Sequence, residues 1–566
     1  MAEYLSPGVY VEEVDSGSKS MEGVGTSTAG FIGLAERGSV VGLPQLVTSF
    51  SDYKRKFGGY LSASEFGDYR YLAYAVEHFF INGGSRCYVA RVVPNDAKSS
   101  KNTKGVLEVT AKNQGVWGND VLVVITPVSK AKTQVLSVDE KVCVVKKSTG
   151  FNTGDIVSFN DGSTTTYNKI VKVSDNTIEF AEDVSDTIVD TSLVPTKTIC
   201  TCEFNLTARY DDQVETFENL SFNVQASNYI EKVLEKSNLI SVKVVGKVDT
   251  IDAPFNAISE GEGDSVVKIS LTGGSNGSLS AITPDTFIGV DNGAGQRSGI
   301  QSFIDNDVVS IMAVPGVTDP NVQLTLVAHC ENLASRFAVL DVPKDCVKVD
   351  DVIAHRNIVD STYSAMYHPW LEVYDPLDKK NIFIPPCGSV LGIYARTDNT
   401  KGVHKAPANE VVRACTGLSI PYNKGEQDIL NPKGVNLIRS FAGQGIRVWG
   451  ARTTSSDPSW KYINVRRLFI YIEESIKANT NWVVFEPNTP ELWDRVQRTI
   501  NGFLTSLWRS GALAGSSENE AFFCNVDSTT MTKEDIDNGR LICVIGVAPV
   551  KPAEFVIFRI SQKTNE

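Results

Sequence analysis

The chain has 566 residues, of which 42% are hydrophobic and 21% charged, and this composition is typical of soluble globular proteins rather than disordered or fibrous ones. At roughly 100 to 200 residues per domain, the length predicts several domains. No apolar run reaches the roughly 18 to 20 residues that a membrane span needs, and the start, MAEYLSPGVYVEEV, carries acids where a signal peptide carries bases. We therefore expect a protein that stays in the cytoplasm where it is made and does not insert into membranes.

The charges are unevenly distributed. The chain has 54 Lys and Arg against 67 Asp and Glu, a net charge of −13, which argues against general nucleic-acid binding. Residues 425–566 hold 16 basic and 16 acidic residues, so the preceding part carries the whole negative charge. Within residues 433–511, 11 basic residues outnumber 6 acidic ones. This local excess indicates either a basic face for an acidic partner or a solvated helix whose charges pair with one another.

The N-terminal residues predict a strand that can leave its own domain. Val9 to Val14 (VYVEEV) follow a Pro-Gly turn and are rich in β-formers. Ser16 to Thr28 form a Gly/Ser/Thr-rich linker with a root-mean-square reach of roughly 20 Å. A lone strand does not persist unpaired. It adds to an edge in its own fold or, by β-augmentation, to a sheet of a neighbouring subunit.

The first compact segment predicts an α/β layer. A strand over Ala29 to Ala35 is followed by a helix with Asp68 as N-cap and a stop at Asn82, and then by a strand over Arg86 to Val93. Residues 105–274 consist instead of short runs rich in Val, Ile and Thr, divided by Asn, Asp and Gly. They predict a hairpin turn at Asp175-Asn176 and one helix near residues 228–235. This texture predicts an inserted β-rich domain.

The α/β pattern then resumes. The predicted strands are Val308 to Val314, Phe337 to Val342 and Tyr363 to Tyr374, and a helix covers Val322 to Ser335. A last α/β unit begins near Gly425. Its first helix covers Asn464 to Ala478. Its second runs from the N-cap Thr489 to Gly511, and six of its side chains are predicted to face inward, Leu492, Val496, Ile500, Phe503, Leu504 and Leu507. Its strands cover Ala521 to Val526, Leu541 to Ala548 and Phe555 to Ile560.

Together these elements predict a multidomain α/β (α+β) fold. The predicted parts are an N-terminal arm (1–28), an α/β domain (29–104 and 278–424), an inserted β-rich domain (105–277) with a variable β insertion at about 130–194, and a C-terminal domain (425–566).

Candidate catalytic chemistry is confined to one segment. Gly273 to Gly277 (GGSNG) fits the G-x-S-x-G pattern of a serine hydrolase, but no clear helix and no convincing histidine partner follow, so a linker is favoured over a hydrolase using Ser275. The five histidines are scattered, and so are the ten cysteines apart from Cys200 and Cys202. We expect no enzyme activity, no cofactor, no metal and no disulfide framework, with reduced thiols in core positions.

Eleven short segments in a fixed order carry a family resemblance. They are SPGVYVEEV (Ser6 to Val14), GVGTSTAGFIG (Gly23 to Gly33), FFINGGSRCYVARV (Phe79 to Val92), GVWGND (Gly115 to Asp120), ETFENLSFN (Glu215 to Asn223), LTGGSNG (Leu271 to Gly277), AMYHPW (Ala365 to Trp370), GIRVWGART (Gly445 to Thr453), WKYINVRRLFIYIEESI (Trp460 to Ile476), VFEPN (Val484 to Asn488) and IGVAPVKPAEFVIFRI (Ile545 to Ile560). In this order they resemble the contractile tail sheath proteins of phages, R-type bacteriocins and extracellular contractile injection systems. The start PGVYVEEV favours an injection system.

The resemblance implies a structural subunit that polymerises as stacked six-membered rings around an inner tube, stores energy in the extended state and contracts without nucleotide. It implies as partners the inner tube protein, baseplate and terminator or cap proteins, and a second sheath paralogue in some particles. Assembly would take place in the bacterial cytoplasm, and the subunit would then be part of a virion tail or tail-like particle.

The resemblance also assigns residues. It implies strands that link neighbouring subunits, formed by Val9, Tyr10, Val11, Glu12, Glu13 and Val14 at one end and Phe555, Val556, Ile557, Phe558, Arg559 and Ile560 at the other. Residues 425–566 would face the tube. Combined with the charge count, this gives six basic candidates for the tube-facing surface, Lys461, Arg466, Arg467, Lys477, Arg495 and Arg498.

Overall fold

The computed structural model describes residues 21–160, 165–184, 198–246, 254–259, 265–557 and 559. They form a central α/β domain made of two chain segments, a β-rich region inserted between these segments, and a C-terminal domain. The first central segment contains β1 (Ala29–Leu34), β2 (Gln45–Val47), α1 (Phe50–Phe57), α2 (Ala63–Phe66), α3 (Leu72–Ile81) and β3 (Cys87–Val92).

The inserted region is built almost entirely from antiparallel strands. Its elements are β4 (Lys101–Lys104), β5 (Leu107–Ala111), β6 (Leu122–Val128), β7 (Lys132–Asp139), β8 (Val142–Val145), β9 (Ile156–Asn160), β10 (Thr165–Ser174), β11 (Thr177–Phe180), β12 (Thr198–Thr201), β13 (Glu203–Tyr210), β14 (Gln213–Leu220), α4 (Ile230–Leu234), β15 (Ile240–Val244), α5 (Pro254–Ser259) and β16 (Val267–Ser270). The predicted hairpin turn at Asp175-Asn176 is confirmed between β10 and β11.

A second insertion lies inside the first. Strands β7 to β12 close into a six-stranded barrel with its own core, to which Phe159, Ile178 and Phe180 contribute. The barrel interrupts the antiparallel pair β6 and β13, whose residues Val128 and Glu203 lie opposite each other on either side of it. The barrel therefore replaces what would otherwise be a hairpin turn.

The second central segment returns to alternating helices and strands. Its elements are α6 (Pro284–Ile288), β17 (Ile311–Ala313), α7 (Pro320–Leu333), β18 (Phe337–Asp341), α8 (Val349–Arg356), β19 (Ser364–His368), β20 (Leu371–Asp375), β21 (Lys380–Ile384), α9 (Cys387–Lys401), β22 (Glu410–Val411), β23 (Gly417–Leu418), α10 (Lys424–Leu430), β24 (Val435–Phe441) and β25 (Gly445–Val448). The run predicted as one strand over residues 363–374 is two strands, β19 and β20, which belong to different sheets.

The central sheet has nine strands in the order β2-β3-β1-β17-β18-β19-β24-β25-β22, with a parallel middle from β3 to β24. Successive side chains of β18 enter two different cores: Phe337 and Val339 face the side covered by α3 and α9, whereas Ala338 and Leu340 face α7 and α8. This gives a three-layer α/β/α sandwich, as expected for a parallel sheet. Strands β24 and β25 belong to this sheet although they follow residue 425 in the chain. A domain boundary at residue 425, as predicted, would therefore divide the strands of one sheet.

The C-terminal domain consists of α11 (Ile463–Asn479), α12 (Pro490–Arg509), α13 (Glu518–Ala521), β26 (Phe522–Asn525), α14 (Lys533–Asp537) and β27 (Val544–Val547). All six side chains predicted to face inward on α12 are buried: Leu492, Val496, Ile500, Phe503, Leu504 and Leu507. The helix caps were less predictable, since α3 has Tyr71 as its N-cap rather than Asp68, which lies in a preceding 3-10 turn. None of the helices in the described ranges is both long and apolar enough to cross a bilayer.

Candidate functional site

Only part of the two predicted linking strands lies within the described residues. Val9 to Val14 fall outside the described residues, which begin at Met21. At the other end, Phe555 to Ile557 belong to no strand, and their side chains are exposed by 71%, 68% and 78%. Phe558 and Ile560 again lie outside the described residues. Three consecutive large apolar side chains in solvent form a surface suited to burial against another chain.

The N-terminal arm is fastened to helix α11 by its last residues, Glu22 to Thr26, which we name the N-terminal root. The side-chain amide of Asn479 donates to the Glu22 carbonyl (2.8 Å) and its oxygen accepts from the Glu22 amide (3.4 Å). The Val24 amide donates to the Ser475 hydroxyl (3.1 Å). The described end of the arm is therefore fixed to a defined place on the C-terminal domain.

A buried ion pair completes the N-terminal root. Two nitrogens of Arg467 donate to the two carboxylate oxygens of Asp398 on α9 (2.9 and 2.6 Å), and the side chains are exposed by only 4% and 3%. Thr26 joins both groups, because its hydroxyl donates to Asp398 (2.7 Å) and its carbonyl accepts from Arg467 (3.0 Å). The cluster connects the arm, α9 of the central domain and α11. Arg467 is thus a buried residue that joins three parts of the chain, and its assignment to a tube-facing surface is wrong.

Arg466 is also buried. Its guanidinium carbon lies 3.5 Å from the centre of the Trp460 ring and 4.5 Å from that of Tyr363, within cation–π distance of both rings. Burial lowers the pKa of Arg466 from its usual value, and the neighbouring Tyr363 opposes that shift. The assignment of Arg466 to the exposed basic face is wrong for the same reason as for Arg467: the first turns of α11 are enclosed on every side.

The C-terminal arm has a root of its own at Glu554, one residue before the exposed apolar run. Arg452 holds the Glu554 carboxylate with two parallel hydrogen bonds (2.7 and 2.8 Å). The Asn431 amide (2.8 Å) and the Tyr462 hydroxyl (3.0 Å) also donate to it. The Lys461 ammonium lies 3.6 Å away, so this tube-surface candidate belongs to the C-terminal root.

The hydrogen bonds at Glu554 outweigh its burial. Burial by itself raises the pKa of the carboxyl, but the hydrogen bonds from Arg452 and Asn431, the positive charge of Arg452 and the Tyr462 hydroxyl together lower it to about 2. Glu554 is therefore ionised at neutral pH. A bidentate Arg–carboxylate pair fixes both position and orientation, which suits an attachment that has to resist pulling.

Strands β26 and β27 of the C-terminal domain form a two-stranded antiparallel sheet, with Phe522 opposite Val547 and Asn525 opposite Val544. One face packs on α12, where Gln497 also donates to a carbonyl of β26 (2.6 Å). No third strand pairs with β26 or β27 within the described part of the chain. Unpaired edges of this kind are templates for an added strand.

Three of the six basic candidates remain on the surface. Lys477 on α11 pairs with Glu474 (3.3 Å) and is 70% exposed. Arg495 on α12 lies 3.7 Å from Glu486. Arg498 is exposed one turn further along α12, and its side chain contacts only a backbone carbonyl of that helix within the described ranges. The basic face indicated by the charge count is therefore smaller than predicted and centres on α12.

The G-x-S-x-G segment is a structural linker in the fold. Backbone bonds connect Ser275 to Lys98 in both directions (3.0 Å each), and Asn119 exchanges two hydrogen bonds with Gly274 (2.8 and 3.1 Å). A short 3-10 turn follows rather than the helix that a nucleophile elbow requires. These bonds join the segment to the residues around Lys98 and Asn119, and the Ser275 hydroxyl accepts from the Gly277 amide (3.1 Å). In the described part of the chain, no group of His, Cys, Asp and Glu is arranged to hold a metal.

Sequence reasoning missed the residues that fasten the arms. Arg467 and Asp398 are 69 positions apart, and Arg452 and Glu554 are 102 apart, so no local motif marks either pair. The only available signal was indirect: both Arg452 and Glu554 lie in segments that carried the family resemblance.

Two family models match the chain in tandem. The phage tail sheath protein central domain matches residues 298–454, and the phage tail sheath C-terminal domain matches residues 455–563. Among curated proteins, the tail sheath protein of Escherichia phage P2 is 24% identical over 334 residues, covering 56% of this chain and 82% of that protein. The tail sheath protein of Burkholderia phage BcepMu is 26% identical over 287 residues, covering 46% of this chain and 58% of that protein.

Solved structures match over nearly the whole chain. The helical sheath of the anti-feeding prophage in its contracted state is 22% identical with a TM-score of 0.52, covering 98% of this chain and 99% of that one. The PVC sheath complex of an extracellular contractile injection system, also contracted, is 21% identical with a TM-score of 0.52, covering 100% and 99%. At this identity the two structures show that the fold is shared.

Proposed function

Because the chain belongs to the contractile tail sheath family, we propose that it is the repeating subunit of a sheath of six-membered rings stacked around an inner tube. The subunit is structural: it stores energy in an extended sheath and releases it on contraction. The observation that carries this proposal is that the described chain is fastened to the body at Thr26 and at Glu554, and that Phe555 to Ile557, just beyond Glu554, are exposed.

The two roots would make the subunit a mechanical link. A pull on the N-terminal arm reaches α9 and α11 through the Arg467–Asp398–Thr26 cluster. A pull on the C-terminal arm reaches the central sheet through Glu554 and Arg452. In this proposal the outer and middle parts of the subunit can rotate on contraction while the roots keep neighbouring subunits joined.

The unpaired sheet of β26 and β27 supplies a place for the arms of other copies. If an added strand makes about four to six backbone hydrogen bonds at a net 0.5 to 1.5 kcal/mol each, one junction contributes several kcal/mol. The exposed side chains of Phe555 to Ile557 add apolar burial to that sum. Repetition of such junctions along a sheath gives a continuous net.

Attachment to the inner tube is assigned to the exposed basic residues of α12. Solvent-accessible charges attract weakly and are screened by salt, so the attachment can break when the sheath expands. Baseplate and terminator proteins complete the proposed partners. We favour an extracellular injection particle over a phage tail, with the start PGVYVEEV and the nearly end-to-end match to two injection-type sheaths as support.

Electron microscopy of the chain expressed alone in bacteria tests the proposal. We expect long hollow tubes from the full chain and dispersed, folded particles from a variant lacking residues 1–15. The matched control replaces a similar length, residues 185–197 between β11 and β12 in the chain, by a Gly/Ser linker of the same length and should still form tubes. Tubes from the variant lacking residues 1–15 would eliminate the linking role of the arm. If the full chain gives only dispersed particles, co-expression with the inner tube protein decides, and dispersal in its presence would contradict the sheath assignment.

A further inference from the structure

Two cysteines meet at the edge of the unpaired two-stranded sheet. The sulfur of Cys524, on β26, lies 3.5 Å from the sulfur of Cys543, the residue just before β27. They are 19 positions apart in the chain and both are free thiols. Cys524 is buried against α12, whereas Cys543 is partly exposed. The two thiols are therefore in direct contact with each other.

The contact divides the roles of the two thiols. Its hydrogen bond lowers the pKa of Cys543 and raises that of Cys524, so Cys543 loses its proton first. The accessible sulfur is therefore placed to be the nucleophile, and the buried one to act second. A disulfide needs a sulfur separation of about 2.05 Å, so each sulfur has to move by less than about 1 Å. Cys543 lies just outside the strand ladder, which begins at Val544.

We propose that Cys524 and Cys543 are a disulfide-forming pair that staples the start of β27 to β26 when the protein meets a low-molecular-weight disulfide such as oxidised glutathione. The Cys543 thiolate attacks one sulfur of the oxidant, whose S–S bond breaks and releases one thiolate, which takes up a proton. Cys524 then loses its proton and attacks the Cys543 sulfur, releasing the second thiol. Two protein thiols and one small disulfide thus become one protein disulfide and two small thiols.

The staple would hold the strand from which the C-terminal arm continues. A pull on the arm that overcomes the Glu554 root acts on β27 from its C-terminal end, where Val547 lies opposite Phe522, and separates it from β26. The disulfide lies at the opposite end and would stop that separation before β27 leaves the sheet. This consequence rests on the proposed function, whereas formation of the bond does not, so the two can fail separately.

Peptide mapping of the full chain after incubation with oxidised glutathione tests the pair. Trypsin cleaves after Lys533 and Arg540, between the two cysteines, so a disulfide appears as two peptides that separate only on reduction. After this incubation we expect the linked pair in the unsubstituted chain and in the control variants Cys346→Ser and Cys415→Ser. In Cys524→Ser we expect a glutathione adduct that persists on Cys543, and in Cys543→Ser we expect no adduct on Cys524.

The outcomes separate the claims. If Cys524 and Cys543 both remain alkylatable after oxidation, or if either links to another cysteine instead, the pair is overturned. Circular dichroism of each variant establishes that it is folded, and Cys524→Ala serves if Cys524→Ser is not. For assembled tubes, oxidation should raise the urea midpoint of disassembly relative to Cys543→Ser tubes. If the disulfide forms but the urea midpoints of disassembly are equal, only the proposed stabilisation of assembled tubes is overturned.

Discussion

Single side chains decide whether the terminal arms of this protein are attached to its body. The Arg467–Asp398 pair is almost completely buried and hydrogen-bonded to Thr26 from both sides. The Arg467 guanidinium also lies 4.7 Å from the centre of the Tyr394 ring. Charges in such a position are stable together and costly apart, because removal of one partner leaves the other unpaired in a medium of low polarity.

We therefore expect Arg467→Ala to destabilise the folded chain by about 3 to 5 kcal/mol. The control is Lys477→Ala on the same helix, whose exposed pair with Glu474 is worth less than about 0.5 kcal/mol. Urea denaturation followed by tryptophan fluorescence measures both. A shift for Arg467→Ala no larger than for Lys477→Ala would show that the cluster does not hold the arm.

Glu554 makes the C-terminal root dependent on pH. Burial opposes its ionisation, but the hydrogen bonds from Arg452 and Asn431 prevail and lower the pKa from 4.5 to about 2. A carboxyl whose pKa falls on folding stabilises the folded state above its unfolded pKa, and that contribution disappears as the pH falls through the folded pKa. The root should thus be intact at neutral pH and weaken between about pH 4.5 and pH 2.

The variant Glu554→Gln should melt below the unmodified protein at pH 7, and the difference should shrink as the pH falls from 4.5 towards 2, since a protonated carboxyl resembles the amide. Differential scanning calorimetry over this range measures the effect. Glu518→Gln, at an exposed position in α13, is the control and should show no such trend. A difference that stays constant with pH would mean that ionised Glu554 is not what secures the arm.

At the scale of elements, the barrel formed by β7 to β12 is an independent unit. Its core is separate from that of the surrounding inserted sheets, and the chain enters and leaves it through Val128 and Glu203, which lie opposite each other. Few side-chain bonds cross to the rest of the insertion; those from Asn223 to Thr153 (3.0 Å) and Asp155 (2.9 Å) are the clearest. An element with its own core and adjacent ends is removable.

Replacement of residues 130–201 by a two-residue turn should leave a soluble, folded chain that still forms tubes. Circular dichroism, the melting temperature and electron microscopy are the measurements. Removal of the β13–β14 hairpin is the informative contrast, because Phe204, Leu206 and Leu220 belong to the core of the inserted sheets and their loss should unfold that region. Insolubility of the barrel deletion would show that the barrel supports the fold after all.

At the scale of the whole molecule, the charge distribution separates a neutral C-terminal quarter from an acidic remainder. Arg466 and Arg467 are buried in the structure. The basic candidates that remain exposed are Lys477, Arg495 and Arg498. This surface is our proposed contact with an acidic tube.

The double variant Arg495→Glu/Arg498→Glu should reduce co-purification with the inner tube protein while leaving the chain folded. Binding of the unsubstituted chain should weaken as the salt concentration rises, because solvent-exposed charges are screened, and the residual binding of the variant should depend less on salt. Lys243→Glu/Lys268→Glu changes the net charge equally on the inserted region, where both side chains are exposed, and should bind as the original does. If the two double variants bind the tube protein equally well, the assignment of the tube contact to α12 is wrong.

Several parts of the fold followed from the sequence. The spacing of apolar residues predicted α12 and all six of its buried side chains, because a helix that packs on one side repeats that side every 3.6 residues. The strands β1, β3 and β18 were found as short apolar runs for the corresponding reason, since a parallel sheet covered on both faces needs apolar residues throughout.

Only the tertiary structure shows which polar side chains are buried and how the two terminal arms are attached. Sequence periodicity shows which face of a helix is apolar, but not whether something also covers its polar face. The first turns of α11 are covered, so the side chains of Arg466 and Arg467 are internal. Pairs such as Arg452 and Glu554, 102 positions apart, leave no local pattern. The sequence by itself thus determined the elements and the family resemblance, whereas long-range packing decided which charges are exposed and how the two arms are held.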